Sequence, residues 1–243
     1  MYCAALRSTS IDYFWVEVKN VITDFPEEEI FANYPRWAST RVVRRPPDAQ
    51  YPNLPGTIDY LILNFVNVGK LQTSGVDANI EYRAPPTSLG QFTFALNGTY
   101  VFDYKQTSFD GTQLVSYAGK RGVLDGAIAR WRHYAQLNWT KGPWGATLAN
   151  TYQTGYSEPD LTTCDDEGLN CAGNRRVGSY SIWDLQGRYT GFQALTLTLG
   201  IRNLADTRPP VSNQSFDFQV GYDPSYADPR GRTYYAAIRY AFK

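Results

Sequence analysis

The chain has 243 residues, of which 43% are hydrophobic and 15% aromatic, with 19 Tyr and 6 Trp. Lys plus Arg and Asp plus Glu number 23 each, so no global field draws nucleic acid or an anionic membrane surface, and a nucleic-acid partner is not expected. The longest apolar run, Tyr60 to Val68, is interrupted by Asn64 and Asn67 and reaches about half of the ~20 residues a transmembrane helix needs, which excludes a helical membrane protein.

In chain order, the opening residues "MYCAALRSTSID" lack the basic start, apolar stretch and small-residue cleavage site of a secretory signal, so any export signal is expected to lie outside this chain. Residues 1–8 do not carry the strand pattern that follows, and the domain is expected to run from 9 to 243. Ile11 to Lys19 reads as a strand. The long connector from Val21 to Pro55 holds "DFPEEEIFANYPRWAS", where Pro26 and three successive glutamates suit the first turn of a short helix.

From there the dominant signal is period two over segments of about ten residues. In "GVDANIEYR", Val76, Ala78, Ile80 and Tyr82 oppose Asp77, Asn79 and Glu81. In "QFTFALNGTYVFDY", Phe92, Phe94, Leu96, Tyr100, Phe102 and Tyr104 share one face, and Gln91, Thr93, Asn97, Thr99 and Asp103 the other. "WRHYAQLNWT" sets Trp131, His133, Ala135, Leu137 and Trp139 against Arg132, Tyr134, Gln136 and Asn138, which makes His133 an aromatic-girdle position. "WDLQGRY", "LTLTLGIRN" and the final "TYYAAIRYAFK" repeat the division, and a further strand is expected near Trp144 to Tyr156.

The connectors alternate in length. "APPTSLG", "KGP" and "GFQ" are tight and rich in turn formers; between them lie long polar stretches near 21–55, 105–129, 157–177 and 206–231. Alternate short and long ends, with aromatics where apolar faces meet the connectors and Arg, Asp, Glu and Gln on the polar faces, are the marks of an antiparallel transmembrane β-barrel. The expected fold is all-β, with about eight strands, short periplasmic turns and long extracellular loops. A soluble sandwich or up-and-down barrel also alternates, but turns its apolar face to a core.

Two cysteines, Cys164 and Cys171, flank "DDEGLN", and Cys3 stands apart. The pair reads as a small loop disulfide in an oxidising compartment, against two free thiols; zinc lacks a second Cys/His pair, since His133 is the single histidine. No Gly-x-Ser-x-Gly elbow, Walker loop, His-Glu-x-x-His helix or dinucleotide fingerprint occurs. An enzyme is not expected, the remote alternative being a barrel hydrolase using His133 at the lipid edge. No cofactor or metal is implied.

These residues carry a resemblance. "NVGKLQTSGVD" is similar to the Asn-x-Gly…Gly-(Val/Ile)-(Asp/Glu) signature of TonB-dependent outer-membrane receptors, through Asn67, Gly69, Gly75 and Asp77. "RNLADTRPP" resembles their Asn-Leu-Phe-Asp motif through Asn203, Leu204 and Asp206, with Ala205 replacing the aromatic. The resemblance implies a barrel of ~22 strands around a plug, of which the eight strands here would be the C-terminal portion. It implies uptake of a siderophore, cobalamin or carbohydrate across the Gram-negative outer membrane, driven in an intact parent by a TonB-type coupling protein, with the chain not transport-competent by itself. It also implies outer-membrane lipid and the barrel-assembly machinery as partners, the latter reading the terminal aromatics Tyr240 and Phe242. Candidate ligand-gathering residues on the long loops are Tyr117, Lys120, Arg121, Arg175, Arg176, Tyr222 and Tyr226, because aromatic and cationic side chains grip sugars and anionic chelates. Their alternative role is loop packing. A stand-alone eight-stranded barrel with a structural or adhesive role is the rival architecture.

Overall fold

A computed structural model describes residues 6–67, 69–108, 111, 113–121, 126–159, 173–213 and 221–242. The strands are β1 (Leu6–Lys19), β2 (Ile22–Thr23), β3 (Val42–Arg44), β4 (Ile58–Leu61), β5 (Val66–Asn67), β6 (Lys70–Arg83), β7 (Gln91–Thr107), β8 (Leu114–Ser116), β9 (Trp131–Lys141), β10 (Trp144–Gln153), β11 (Tyr156–Pro159), β12 (Asn174–Val177), β13 (Tyr180–Phe192), β14 (Leu195–Arg202) and β15 (Thr233–Tyr240). Two helices, α1 (Glu27–Ala32) and α2 (Tyr34–Arg41), lie in the first long loop.

Eight of these strands form one antiparallel wall in the order β1-β6-β7-β9-β10-β13-β14-β15, with β8 beside the end of β7. The wall is a meander, each long strand pairing with its sequence neighbour. Among the described residues it does not close, because β1 and β15 do not pair with each other. Among the described residues no helix is long and apolar enough to cross a membrane, and the strands carry the span.

Register decides which side chains share a face. One row across seven strands reads Tyr82, Phe94, Leu137, Leu148, Leu185, Ile201 and Tyr234, each opposite the next. Every member is apolar or aromatic, and Leu137, Leu185 and Tyr234 are exposed. On the other face a row reads Asp12, Asp77, Thr99, Arg132, Gln153 and Tyr180. A soluble sheet would bury the first row. Here it is left outside, as on a barrel wall whose solvent is hydrocarbon. Most buried apolar side chains lie in the loops instead, Phe25 and Ile30 in the helical insert and Ala127, Tyr156 and Val177 in a second cluster, while Ala149 and Tyr180 are buried on the wall.

The structure adjusts the expected elements in three places. Strand β1 starts at Leu6, five residues ahead of Ile11. The helical insert is two helices broken at Asn33, where Pro35 opens the second, and Pro26 is the extended N-cap of the first. The third concerns β7, where Ser74 pairs with Asp103 but Gly75 pairs with Val101, leaving Phe102 as an extra residue. This bulge shifts the alternation by one. Tyr104, expected on the apolar face, therefore lies opposite Thr73 on the polar face.

His133 keeps its expected face. Trp131 Nε1 donates to His133 Nδ1 at 2.8 Å, so the imidazole proton sits on Nε2, 3.1 Å from Asn150 Oδ1. Asn150 Nδ2 in turn donates to Ser181 Oγ and Ile182 O at 3.0 Å, and the Tyr152 ring stacks on the imidazole. Both ring nitrogens are occupied within the wall.

Candidate functional site beneath the loops

The polar face encloses a cavity of about 730 Å³, roofed by the loops that follow β7 and β14. Its wall holds Asp12, Asp77, Asn79, Asn97, Thr99 and Arg132, with Tyr104, Tyr134 and Tyr180; Tyr226 descends from the roof. The Thr99 hydroxyl donates to Asp77 Oδ1. The Arg132 guanidinium lies 4.5 Å from the Tyr226 ring centre, a cation–π contact between wall and roof. Arg132 makes no ion pair among the described residues, and it shares the cavity with the carboxylates of Asp12 and Asp77. Carboxylates, amides, hydroxyls and phenols side by side suit a ligand rich in hydrogen-bonding groups. Among the described residues no three His, Cys, Asp or Glu side chains are placed to hold a metal ion.

The roof is built around one carboxylate. Glu158, on β11, has a fully buried side chain. Its Oε1 accepts the Asn213 N–H at 2.8 Å and lies 3.1 Å from Arg175 Nε; its Oε2 accepts the Ser212 hydroxyl at 2.7 Å and lies 4.0 Å from Arg121 Nε. Arg175 also donates to Asn213 Oδ1 and Val211 O, and Arg121 to Asn213 O. Three loops thus meet at one group: 108–130, 154–179 and 203–232. Asp223 adds a second tie, its Oδ2 accepting the Ala127 N–H at 3.1 Å. Burial pushes the neighbouring Tyr156 phenol up to about 12. The sequence offered no sign of Glu158, because its partners Arg121, Arg175, Ser212 and Asn213 are all distant in sequence, the last two 54 and 55 positions away.

The seven loop residues named from sequence divide accordingly. Tyr226 lines the cavity. Arg121 and Arg175 turn to Glu158, which is the packing role. Lys120 and Arg176 are exposed, flanking Ser157 through a bridge and a strand pair respectively. Tyr117 and Tyr222 are half-buried in the same layer, outside the cavity lining. Cys164 and Cys171 lie outside the described residues.

The motif positions act on the backbone. Asn67 Oδ1 accepts the Gly69 N–H, and Gly69 adopts φ +90°, turning the loop into β6. Asn203, at φ +52°, bonds Thr207 through both ends of its amide and takes Asp184 Oδ1 on its N–H. Asp206 Oδ1 accepts the Arg232 N–H at 2.8 Å, joining the start of the last loop to its end. Leu204 donates its N–H to Trp183 O. At the far end Tyr240 and Phe242 meet edge to face at 4.9 Å, with Phe242 89% exposed.

In the same loop Arg230 holds Asp228 through two side-chain hydrogen bonds at 2.9 Å and a third at 2.5 Å, and its N–H adds another. This arrangement lowers the Asp228 carboxyl to about 2. With the folded value below the usual ~3.9, the contribution of the pair is complete above about pH 4 and is lost as pH falls towards 2. A carboxyl-carbon NMR titration is expected to give an Asp228 midpoint near 2, rising into the ordinary carboxylate range in Arg230→Ala. An unchanged midpoint in the variant would separate the shift from Arg230.

The TonB-dependent receptor β-barrel family model matches residues 5–204. The chain belongs to that family. Its wall also superposes on solved receptors: a variant of the ferric enterobactin receptor PfeA from Pseudomonas aeruginosa (20% identity, TM-score 0.59, 96% of this chain and 29% of that one) and the siderophore receptor PirA from Acinetobacter baumannii (16%, 0.60, 97% and 30%). The FrpB iron transporter from Neisseria meningitidis is similar at 13% identity and TM-score 0.56, over 96% and 29%. At these identities the likeness is one of fold. No curated protein sequence matches significantly. The TonB-dependent receptor chain described here spans about 30% of the length of the receptors it resembles, and its eight strands form an arc of their barrel.

Proposed function

We propose that this arc is ligand-facing wall from an outer-membrane receptor that takes up a scarce ligand, a siderophore, cobalamin or carbohydrate. The observation that carries the reading is the polar cavity beneath a packed loop roof, on the face opposite an unbroken apolar band. In this reading lipid covers the apolar band, Tyr240 and Phe242 are presented to the barrel-assembly machinery, and a TonB-type partner acts on the receptor as a whole. Ligand binding is assigned first to Arg132 and Tyr226, with Lys120 and Arg176 at the approach. Arg121 and Arg175 serve the roof. The siderophore and iron receptors among the structural relatives favour an anionic chelate, which Arg132 suits.

The test is binding to the detergent-folded chain, read by tryptophan quenching with ferric enterobactin, cyanocobalamin and maltoheptaose as separate probes. One probe is expected to bind, and Arg132→Ala is expected to weaken it about tenfold, equivalent to about 1.4 kcal/mol. Absence of binding by all three, or equal binding by the variant, would overturn the assignment.

A further inference from the structure

On the face opposite the cavity, the band that meets lipid ends in a group of lysines. The outward positions of β1 run Tyr13, Trp15, Glu17 and Lys19, and those of β6 beside them run Val76, Ser74, Gln72 and Lys70. Lys19 and Lys70 stand directly opposite each other at the long-loop end of the wall, and both are exposed. Like charges in that position are destabilising. The bulge in β7 adds a third cation. With regular alternation Lys105 would share the cavity face with Thr99; because Phe102 is an extra residue, Lys105 falls opposite Gln72 on the outer face, one row below the other two.

The carboxylates nearby do not balance this group. Glu17 lies 3.2 Å from Lys19 Nζ and accepts from Gln72 Nε2 at 2.7 Å, and Asp103 lies 3.0 Å from Lys105 Nζ. Lys70 makes no ion pair among the described residues, so three ammonium groups face two carboxylates. Nearer mid-span on the same strands, Trp15, Phe102 and Tyr13 are exposed aromatics, placed where such rings mark the boundary of hydrocarbon and headgroup. An excess cation above an aromatic row fits a molecule with an anionic head and apolar chains, since ammonium groups hold phosphate oxygens through charge-assisted hydrogen bonds.

We propose that Lys19, Lys70 and Lys105 form a site for the phosphate headgroup of a membrane lipid whose acyl chains lie over Trp15, Tyr13 and Phe102. The phosphate relieves the opposition of Lys19 and Lys70, and the bulge serves to bring Lys105 to it. The site lies across the wall from the cavity and does not depend on the identity of the uptake ligand.

Binding to the detergent-folded chain is read by native mass spectrometry with phosphatidic acid, with diacylglycerol of the same chains, and with inorganic phosphate as competitor. Phosphatidic acid is expected to bind about tenfold more tightly than diacylglycerol and to resist displacement by inorganic phosphate. Lys70→Gln is expected to weaken it about fivefold, and joint replacement of the three lysines by glutamine to abolish the preference. Lys141→Gln, at the short-turn end of β9, is expected to leave it unchanged. A second readout changes sign with the lipid. In phosphatidylcholine vesicles Lys70→Gln is expected to raise the urea midpoint, because it removes the like-charge opposition; with phosphatidic acid included it is expected to lower it, because a phosphate partner is lost. Equal binding of the two lipids, a preference that survives the triple replacement, or midpoint shifts of one sign in both vesicles would overturn the site. Displacement by inorganic phosphate at the concentration of the lipid would overturn the lipid as its occupant.

Discussion

Leu199→Arg is expected to destabilise the folded chain in phospholipid vesicles by about 2–4 kcal/mol, the cost of an arginine on the lipid face near mid-span. Leu199 stands 67% exposed on β14, opposite Gly187 and Ala236 in the apolar band. No described carboxylate shares that face nearby to offset the charge. Thr198→Arg, one residue away, points to the polar face beside Arg188 and Ala237. Its cost is expected to stay within about 1 kcal/mol, because water solvates the charge there. The difference between these two neighbours, measured by urea titration of tryptophan fluorescence, tests the sidedness of the wall. Equal costs would mean that both faces see the same solvent, and the inverted-barrel reading would fail.

Gly75→Val is expected to cost about 3 kcal/mol, at the upper end for overpacking. A Cβ at Gly75 would stand 2.4 Å from the Tyr100 carbonyl oxygen and 2.5 Å from Phe14 Cζ. The ring could rotate away, but the carbonyl belongs to the ladder at the β7 bulge and has nowhere to go. The loss should therefore appear as fraying between β6 and β7, seen as faster amide exchange at Val76 and Val101. Phe14→Ala in the Gly75→Val background is expected to recover only a minor part of the stability, since it removes the movable obstacle and leaves the fixed one. Full recovery would place the constraint on the ring instead.

Much of the wall was legible in the sequence because a strand's faces are set by neighbours two residues apart. Eight strands, three tight turns and the alternate long loops follow from that local code, and so does the outward placement of His133. What failed was what local code cannot contain. A bulge is a property of two strands at once, so Tyr104 changed faces without any change in its own neighbourhood. The paired strands β2 with β5 and β3 with β4 inside the first loop are too short to show a period of two. Glu158 sits in an ordinary "YSEP" and gains its meaning from distant arginines. Those arginines, Arg121 and Arg175, looked available for a ligand because a cation in a loop gives no hint of the carboxylate that holds it.

The side-chain chain from Trp131 through His133 and Asn150 to Ser181 has a consequence for how this wall can vary. It runs along β9 and then diagonally across β10 to β13, linking the three strands on the face that carries the apolar row. Each polar group there is bonded to its neighbour, and Asn150 also donates to Ile182 O. A change at Asn150 alone strands a ring N–H on one side and a hydroxyl on the other. The effect of a substitution at any one of these four positions is therefore expected to depend on the residues at the other three.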